Sequence, residues 1–315
     1  MNLRGGIDLG GTKIEAIVVD DEQKILGRAK RTTPTEGGPP AVAQELAATM
    51  REAAAAAAIE VSTLAGVGVG APGEVDAAAG TLARAGNLSG WEGVVPLAEE
   101  LRKELGVRVA LGNDVRVAVE AERVLGAGRT YRSFLGVWWG TGVGGAVVLD
   151  GRLWLGRGSA GELGHVVVKL DGARCACGRR GCLEAYAGRA SLEKRARKRE
   201  GKTKLFTIMK EHGRTRLTSG VWATALDAGD KVAQELIDEA VEALGAGIAS
   251  AQNLLDLEAV VVGGGLGTKL GKPYVEKIAA AAQPHIFVSD RPPAFVLTEL
   301  GDDGGALGAA LLVSG

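Results

Sequence analysis

Three cysteines and one histidine, grouped between residues 165 and 182, constrain this chain more than any other feature. The 315 residues include only three Cys and three His. All three Cys and one His fall in a single pattern, formed by His165, Cys175, Cys177 and Cys182. A Cys3His set has the donor number and donor types of a closed tetrahedral zinc site. Unpaired structural thiols are the alternative, and disulfides would leave one thiol over. The pattern therefore predicts one structural zinc ion.

Two glutamates lie close to this cluster. Glu162 precedes His165 by three residues, and Glu184 follows Cys182 by two. A zinc ion bound to the cluster would hold both carboxylates in fixed positions. The segment therefore predicts a binding pocket that a metal ion braces.

The composition sets broad limits on function. Hydrophobic residues make up 46% and charged residues 24% of the chain, and the net charge is −1. These values are ordinary for a globular protein and give no overall attraction to nucleic acid or to acidic membranes. No apolar run approaches the roughly 18 residues that suggest a membrane span. The segment 1–6 is too short and too polar for a signal peptide, so we expect a cytoplasmic protein.

Hydrophobic patterning predicts an α/β fold built from two related halves. Each half begins with a strand, a glycine- and threonine-containing turn, a second strand, another turn and a third strand, which indicates a weak internal duplication. The predicted strands are 3–9, 14–20, 24–31, 64–70 and 107–111 in the first half, and 134–139, 145–150, 152–155, 259–262 and 294–298 in the second. Helices are predicted between them, the longest over 232–255.

Matched glycine turns point to phosphate binding. The segments 8–13 and 140–144 each place glycines at a hairpin turn, where backbone N–H groups can approach a phosphate and a threonine hydroxyl can donate. Simple hairpins would explain either turn alone, but two copies plus glycines after a later strand favour nucleotide binding. Asp8 would supply a carboxylate near Mg²⁺, through water. The predicted ATP-binding residues are Asp8, Gly10, Gly11, Thr12, Lys13, Gly140, Thr141, Gly142, Gly264 and Gly265.

Taken together, these motifs resemble the ROK family (repressors, open reading frames and sugar kinases), and most closely its bacterial glucokinases. The resemblance covers essentially the whole chain. It rests on the segments 8–12, 113–114, 140–144, 162–165 and 175–184. It implies the two-lobed fold of actin, hexokinase and the Hsp70 chaperones, with duplicated sheet cores and a cleft between the lobes for ATP and sugar.

The resemblance also implies individual roles. Asp114, at the end of what we take to be a central strand, would be the catalytic base, although an Asp at such a junction can simply cap a helix. The implied sugar-binding residues are Asn87, Asn113, Asp114, Glu162, His165 and Glu184. The family usually has a second Asn shortly after Asn-Asp. Here Arg116 stands in that region.

The resulting prediction is an ATP-dependent kinase that phosphorylates the 6-hydroxyl of glucose, with structural Zn²⁺ and with Mg²⁺ bound to ATP. We expect a small lobe over 1–112 and 301–315, a large lobe over 113–300, and a homodimer or homotetramer. Kinases for N-acetylglucosamine, mannose or fructose, and a broad-specificity hexokinase, remain alternatives, and polyphosphate could replace ATP. A ROK-type sugar sensor or repressor is disfavoured, because Asp8 leaves no room for a preceding DNA-binding domain.

Overall fold

The computed structural model describes residues 2–314 and divides the chain into two compact units. The first unit runs to Leu125 and resumes at Asp302, and the second comprises Gly126–Gly301. The sequence placed the first division at 112/113. The difference is the helix Asp114–Leu125, which packs against the C-terminal helix of the chain and so belongs to the first unit.

The first unit contains a five-stranded sheet with the order β3-β2-β1-β4-β8 and a separate three-stranded sheet with the order β5-β6-β7. In the larger sheet, β1, β4 and β8 are parallel, and β2 and β3 complete an antiparallel meander. The elements are β1 Arg4–Leu9, β2 Lys13–Val19, β3 Ile25–Thr32, α1 Gly38–Ala56, β4 Val67–Ala71, β5 Glu74–Asp76, β6 Thr81–Ala83, β7 Val94–Val95, α2 Leu97–Leu105, β8 Val109–Asn113 and α3 Asp114–Leu125.

The second unit has its own five-stranded sheet, with the order β11-β10-β9-β12-β13. Here β9, β12 and β13 are parallel, and β10 and β11 are antiparallel to their neighbours. Its elements are β9 Phe134–Trp139, β10 Val143–Leu149, β11 Arg152–Trp154, α4 Glu184–Ala187, α5 Arg189–Arg197, α6 Leu205–Glu211, α7 Ser219–Asp227, α8 Lys231–Leu255, β12 Ala259–Gly263, α9 Gly264–Leu270, α10 Lys272–Ala282 and β13 Ala294–Leu297. The chain then returns to the first unit as α11 Gly304–Leu311.

The strand orders of the two large sheets correspond strand for strand. Each has a three-stranded meander at one side and two parallel strands at the other. The predicted α/β fold and the predicted duplication are therefore confirmed. One detail was wrong: β8, which leads into Asp114, is an edge strand and not a central one.

Each unit has its own hydrophobic core. In the first, α1 buries Val42, Leu46 and Met50 against the sheet. In the second, the 25-residue helix α8 supplies much of the core. Its start is fixed by Asp230, whose carboxylate accepts a hydrogen bond from Ala233 N at 2.8 Å, as an N-cap residue does.

The helix α11 packs unusually close to its neighbours, because glycines replace side chains at the contact. A Cβ at position 308 would overlap the carbonyl oxygen of Val117 in α3, and a Cβ at position 68 would overlap that of Ala309. This close approach holds the C-terminal helix against both β4 and α3. Among residues 2–314, no helix combines the length and apolar character needed to cross a membrane.

Candidate active site and metal centre

The first glycine turn joins β1 to β2, as the sequence predicted. Gly10 N donates to Lys13 O at 2.9 Å, and the Thr33 hydroxyl donates to Gly10 O at 2.7 Å. Thr12 is exposed at the tip of the turn. A Cβ at position 11 would lie 2.9 Å from both Cβ and O of Asn87. The turn therefore brings a predicted phosphate-binding segment against a predicted sugar-binding residue.

Asp8 lies at the carboxyl end of β1, beside the first residues of α11. A Cβ at position 305 would lie 2.8–3.1 Å from the carboxyl atoms of Asp8, so Gly305 leaves the room that this carboxyl occupies. Burial, and then the charge of Asp114, raise the pKa of Asp8 from its ordinary value of 3.8 to about 7. Lys13 acts in the opposite direction. A cation near Asp8 would offset much of the free-energy cost of ionising this buried carboxyl, since a positive charge favours the ionised form.

Asn113, and not Asp114, is the better placed of the two to cap α3. The Asn113 Oδ1 atom accepts from Val115 N and Arg116 N, each at 3.2 Å. Asp114 is the first residue of the helix, and its Oδ1 accepts from Val115 N at 2.9 Å. The Asn113 Nδ2 atom is directed at Gly73 O, 3.4 Å away. Because Asn113 meets the capping requirement, the helix does not need a carboxylate at position 114 for this purpose.

Lys13 forms an ion pair with a buried carboxylate that belongs to none of the sequence motifs. Glu15 is fully buried, and it pairs with Lys13 at 3.0 Å, Arg28 at 3.1 Å and Lys30 at 3.1 Å. Burial lowers the pKa of Lys13, but the hydrogen bond to Glu15 and the negative charges of Glu15, Asp302 and Asp8 together outweigh burial and leave the pKa raised. The lysine beside the first turn therefore remains a cation.

The second glycine turn joins β9 to β10, the strands of the second unit that correspond to β1 and β2, and it is one residue shorter than the first. Gly140 N donates to Gly142 O at 3.0 Å. The Thr141 hydroxyl accepts from Nη2 of Arg189 at 2.7 Å. No spacing in the sequence pointed to Arg189, which lies 48 residues further along the chain.

The remaining predicted nucleotide residues lie beside this turn. The strand β12 ends at Gly263, and α9 begins at Gly264, whose φ of 80° is in the region that favours glycine. A Cβ at position 264 would lie 2.7 Å from Trp139 N. A Cβ at position 140 would lie 3.8 Å from Gly265 N. The structure therefore brings the turn and the glycines of α9 together.

The four predicted metal ligands converge. The donor atoms of His165, Cys175, Cys177 and Cys182 all lie within 4.8 Å of one another. The Sγ atoms of Cys177 and Cys182 are 3.7 Å apart. Two thiolates on one tetrahedral zinc ion at the usual Zn–S distance would be about 3.8 Å apart.

Two further observations show that this donor set fits a metal ion. The Nδ1 atom of His165 is buried and has no hydrogen-bond partner among the described residues. Such orphaned buried atoms are uncommon in native proteins, and an unseen ion is one explanation. In the protein alone, burial raises the pKa of the Cys175 thiol to about 12. Burial therefore disfavours the Cys175 thiolate, and metal binding at this ligand would be accompanied by proton release.

Glu184 connects the metal cluster to the second turn. It is the first residue of α4, and its Oε2 accepts from Val143 N at 2.9 Å. Its Oε1 is 4.0 Å from Sγ of Cys175. A Cβ at position 142 would overlap this carboxylate. Glu162 is exposed, and its carbonyl oxygen accepts from His165 N at 3.0 Å.

Two units with corresponding mixed sheets, paired glycine turns and a Cys3His cluster define the class of sugar kinases that have the actin and hexokinase fold. The model of the ROK family matches residues 4–315. The chain therefore belongs to the ROK family.

Individual relatives cover most of this chain. A glucokinase of Thermotoga maritima is 36% identical over 241 residues, which are 76% of this chain and 74% of that protein. An N-acetylgalactosamine kinase of a Shewanella species is 31% identical over 323 residues, covering 98% of this chain and 96% of that protein. The crystal structure of a ROK family glucokinase from Streptomyces griseus, in complex with glucose and AMPPNP, has a TM-score of 0.85 and 32% identity, and the similarity covers 99% of each chain.

Proposed function

We propose that this ROK family sugar kinase is an ATP-dependent hexose kinase that transfers the γ-phosphoryl group to the 6-hydroxyl of glucose. The observation that carries the proposal is the arrangement of Asn113 and Asp114 where β8 ends and α3 begins. Asn113 accepts from two backbone N–H groups of the helix, so the cap does not require a carboxylate at position 114. Glucose is the first sugar to test, because the matched Streptomyces griseus glucokinase was crystallised with glucose and the Thermotoga maritima relative is named a glucokinase.

In the proposed reaction, Asp114 acts as the general base. A sugar hydroxyl is a weak nucleophile at neutral pH, and a positioned carboxylate can take its proton as the new O–P bond forms. The bond between the γ-phosphorus and the bridging oxygen breaks, and ADP leaves. Backbone N–H groups of the glycine turns, the hydroxyls of Thr12 and Thr141 and the Lys13 ammonium would stabilise the phosphate charge.

Two metal ions belong to this proposal. Asp8 would hold Mg²⁺, directly or through water, and the ion would neutralise charge on the phosphates of ATP. The His165 and cysteine cluster would hold Zn²⁺ with a structural role, because four protein ligands leave no position for a reacting water. The assignment of Asn87, Asn113, Glu162, His165 and Glu184 to sugar hydroxyls comes from the family resemblance and is part of the same proposal.

Other hexoses are a second possibility, which the N-acetylgalactosamine kinase of Shewanella supports at 31% identity. The decisive experiment is a coupled assay of ADP release with glucose, mannose, fructose, N-acetylglucosamine and N-acetylgalactosamine. We expect the highest kcat/KM with glucose. A higher kcat/KM for an N-acetyl sugar would identify that sugar, and not glucose, as the preferred substrate. The absence of ADP release with every sugar tested would contradict the kinase proposal.

The phosphate donor and the assembly are tested in the same preparation. Replacement of ATP by polyphosphate should abolish phosphorylation if ATP is the donor. The homodimer or homotetramer remains a prediction from the family resemblance, and the cytoplasmic location remains a prediction from the sequence. Light scattering on the purified protein would measure the assembly.

A further inference from the structure

The side chain of Arg189 joins two segments of the second unit that we assign to the nucleotide. Its Nη2 donates to the Thr141 hydroxyl at 2.7 Å, and its Nη1 donates to Leu217 O at 2.8 Å. Thr141 is in the second glycine turn. Leu217 precedes Thr218, the N-cap residue of α7. Ser219, the first residue of that helix, faces Gly265, with its Oγ 3.5 Å from the position that a Cβ would have there. One guanidinium group therefore spans from the turn to the loop beside α9.

The backbone around Arg189 reinforces this contact. Arg189 N donates to Gly140 O at 3.1 Å, and Ala190 N donates to Thr141 O at 2.9 Å. These are the first N–H groups of α5, which lack partners within their own helix. The turn is therefore held from one side by the start of α5 and by the Arg189 side chain.

The direction of the side-chain hydrogen bond determines what the Thr141 hydroxyl can do. A guanidinium group has donors and no acceptor, so the hydroxyl oxygen must accept from Arg189. The single proton of the hydroxyl then points elsewhere and is available for an acceptor such as a phosphate oxygen. A residue that could accept from Thr141 would consume this proton.

Lysine could not reproduce the arrangement. The two donors of Arg189 lie on different nitrogens of one planar group and reach different segments. An ammonium group is a single point of charge on a flexible chain. The contact therefore requires the fork geometry as well as the positive charge.

We propose that Arg189 is a positioning residue for nucleotide binding, which orients the Thr141 hydroxyl toward a phosphate and fixes the turn relative to the loop that begins α7. The inference rests on the proposed function, since it takes the second turn to be a phosphate-binding segment.

The test is a double-mutant cycle of Arg189→Met and Thr141→Val, read by calorimetric titration with AMPPNP and Mg²⁺. Arg189→Met should weaken AMPPNP binding by about tenfold or more, as expected for the loss of hydrogen bonds to a charged group. In the Thr141→Val background the same substitution should cost clearly less, because its partner is already absent. The dissociation constant for glucose without nucleotide should change less than twofold.

Two further variants make the result decisive. Arg199→Met is the matched control: Arg199 donates to Glu235 at 2.6 Å, away from the nucleotide segments, and AMPPNP binding should remain unchanged. Arg189→Lys should fold and still bind AMPPNP more weakly than the wild type.

The outcomes separate this inference from the proposed function. A wild-type protein that does not bind AMPPNP contradicts the proposed function. Normal binding in both the wild type and Arg189→Met overturns the role of Arg189 alone, and so would fully additive effects in the cycle. Failure of both Arg189 variants to fold would likewise overturn it, since the residue would then serve stability.

Discussion

At the scale of single residues, the start of α3 separates two roles that an Asn-Asp pair could share. Asn113 accepts from two backbone N–H groups of the helix, and Asp114 accepts from one. Asp114→Asn keeps size and hydrogen bonding but removes the base, so we expect kcat to fall by about 10²- to 10⁴-fold with little change in the dissociation constants. Asn113→Ala should instead lower the free energy of unfolding by about 1 kcal/mol through loss of the cap.

Steady-state kinetics and denaturant unfolding on both variants would check this separation. If the Asp114→Asn enzyme kept more than about a tenth of the wild-type kcat when chemistry is rate-limiting, Asp114 would not be the general base. Its role would then be a structural one at the start of α3.

Asp8 gives a prediction with an unusual sign for a carboxyl group. Its pKa is raised to about 7 in the folded protein, whereas the unfolded chain releases this proton near its ordinary value of 3.8. Between these values the folded state binds more protons, so the free energy of unfolding should fall as pH rises, by up to about 1.4 kcal/mol per pH unit from this group. The contribution of Asp8 to the free energy of unfolding is therefore complete below pH 3.8 and lost above about pH 7.

Asp8→Asn should remove this dependence, because an amide does not titrate. Measured without added Mg²⁺, the variant should gain stability relative to the wild type from pH 4 to pH 7, and the difference should level off above pH 7. Asp290→Asn, at an exposed position, serves as the control for the loss of one acidic side chain. A pH-independent difference for Asp8→Asn would mean that Asp8 is ionised throughout.

At the scale of secondary-structure elements, the first meander, the long helix and the ligand cluster could be predicted, because their signals are local. The alternation of apolar and polar residues in strands, the spacing of apolar residues in a helix and the Cys pattern each depend on residues that are close together in the sequence. The sheet β5-β6-β7 was not predicted, since its strands have only two or three residues. The contacts of Arg189 also could not be predicted, because they depend on packing between segments far apart in the sequence. The burial of Glu15 could not be predicted either, because Arg28 and Lys30 reach it only once β2 has paired with β3.

The same scale yields a test of how α11 packs. Gly308→Ala places a methyl group on the carbonyl oxygen of Val117, so α11 must move away from α3. Overpacking of this kind costs about 1–3 kcal/mol. Here the new methyl group meets backbone atoms of Val117 and Ala118, which cannot rotate away as a side chain can. Gly201→Ala is the matched control, because a Cβ at position 201 meets nothing within 4 Å. Equal unfolding midpoints for the two variants would contradict the close contact.

At the scale of the whole molecule, the division into two units makes the effect of the metal local. All four predicted ligands belong to Gly126–Gly301, and so does Glu184, which contacts both the cluster and the second turn. Zinc removal should therefore loosen the second unit and leave the first intact. A ligand present at a hundred times its dissociation constant contributes about 2.7 kcal/mol, so roughly a hundredfold faster amide exchange is expected around the ligand segment.

Hydrogen exchange measured by mass spectrometry, before and after chelation, would show this distribution directly. Peptides from 163–187 and from β10, where Val143 donates to Glu184, should lose protection, whereas peptides from β1 and β4 should not.

Cys177→Ser should reproduce the pattern without chelator, and elemental analysis should find about one zinc per chain in the wild type and less in the variant. Added Zn²⁺ should restore protection in the chelated wild type, and added Mg²⁺ should not, because thiolates prefer the softer ion. Uniform loss of protection in both units would show instead that the metal stabilises the chain as one cooperative structure.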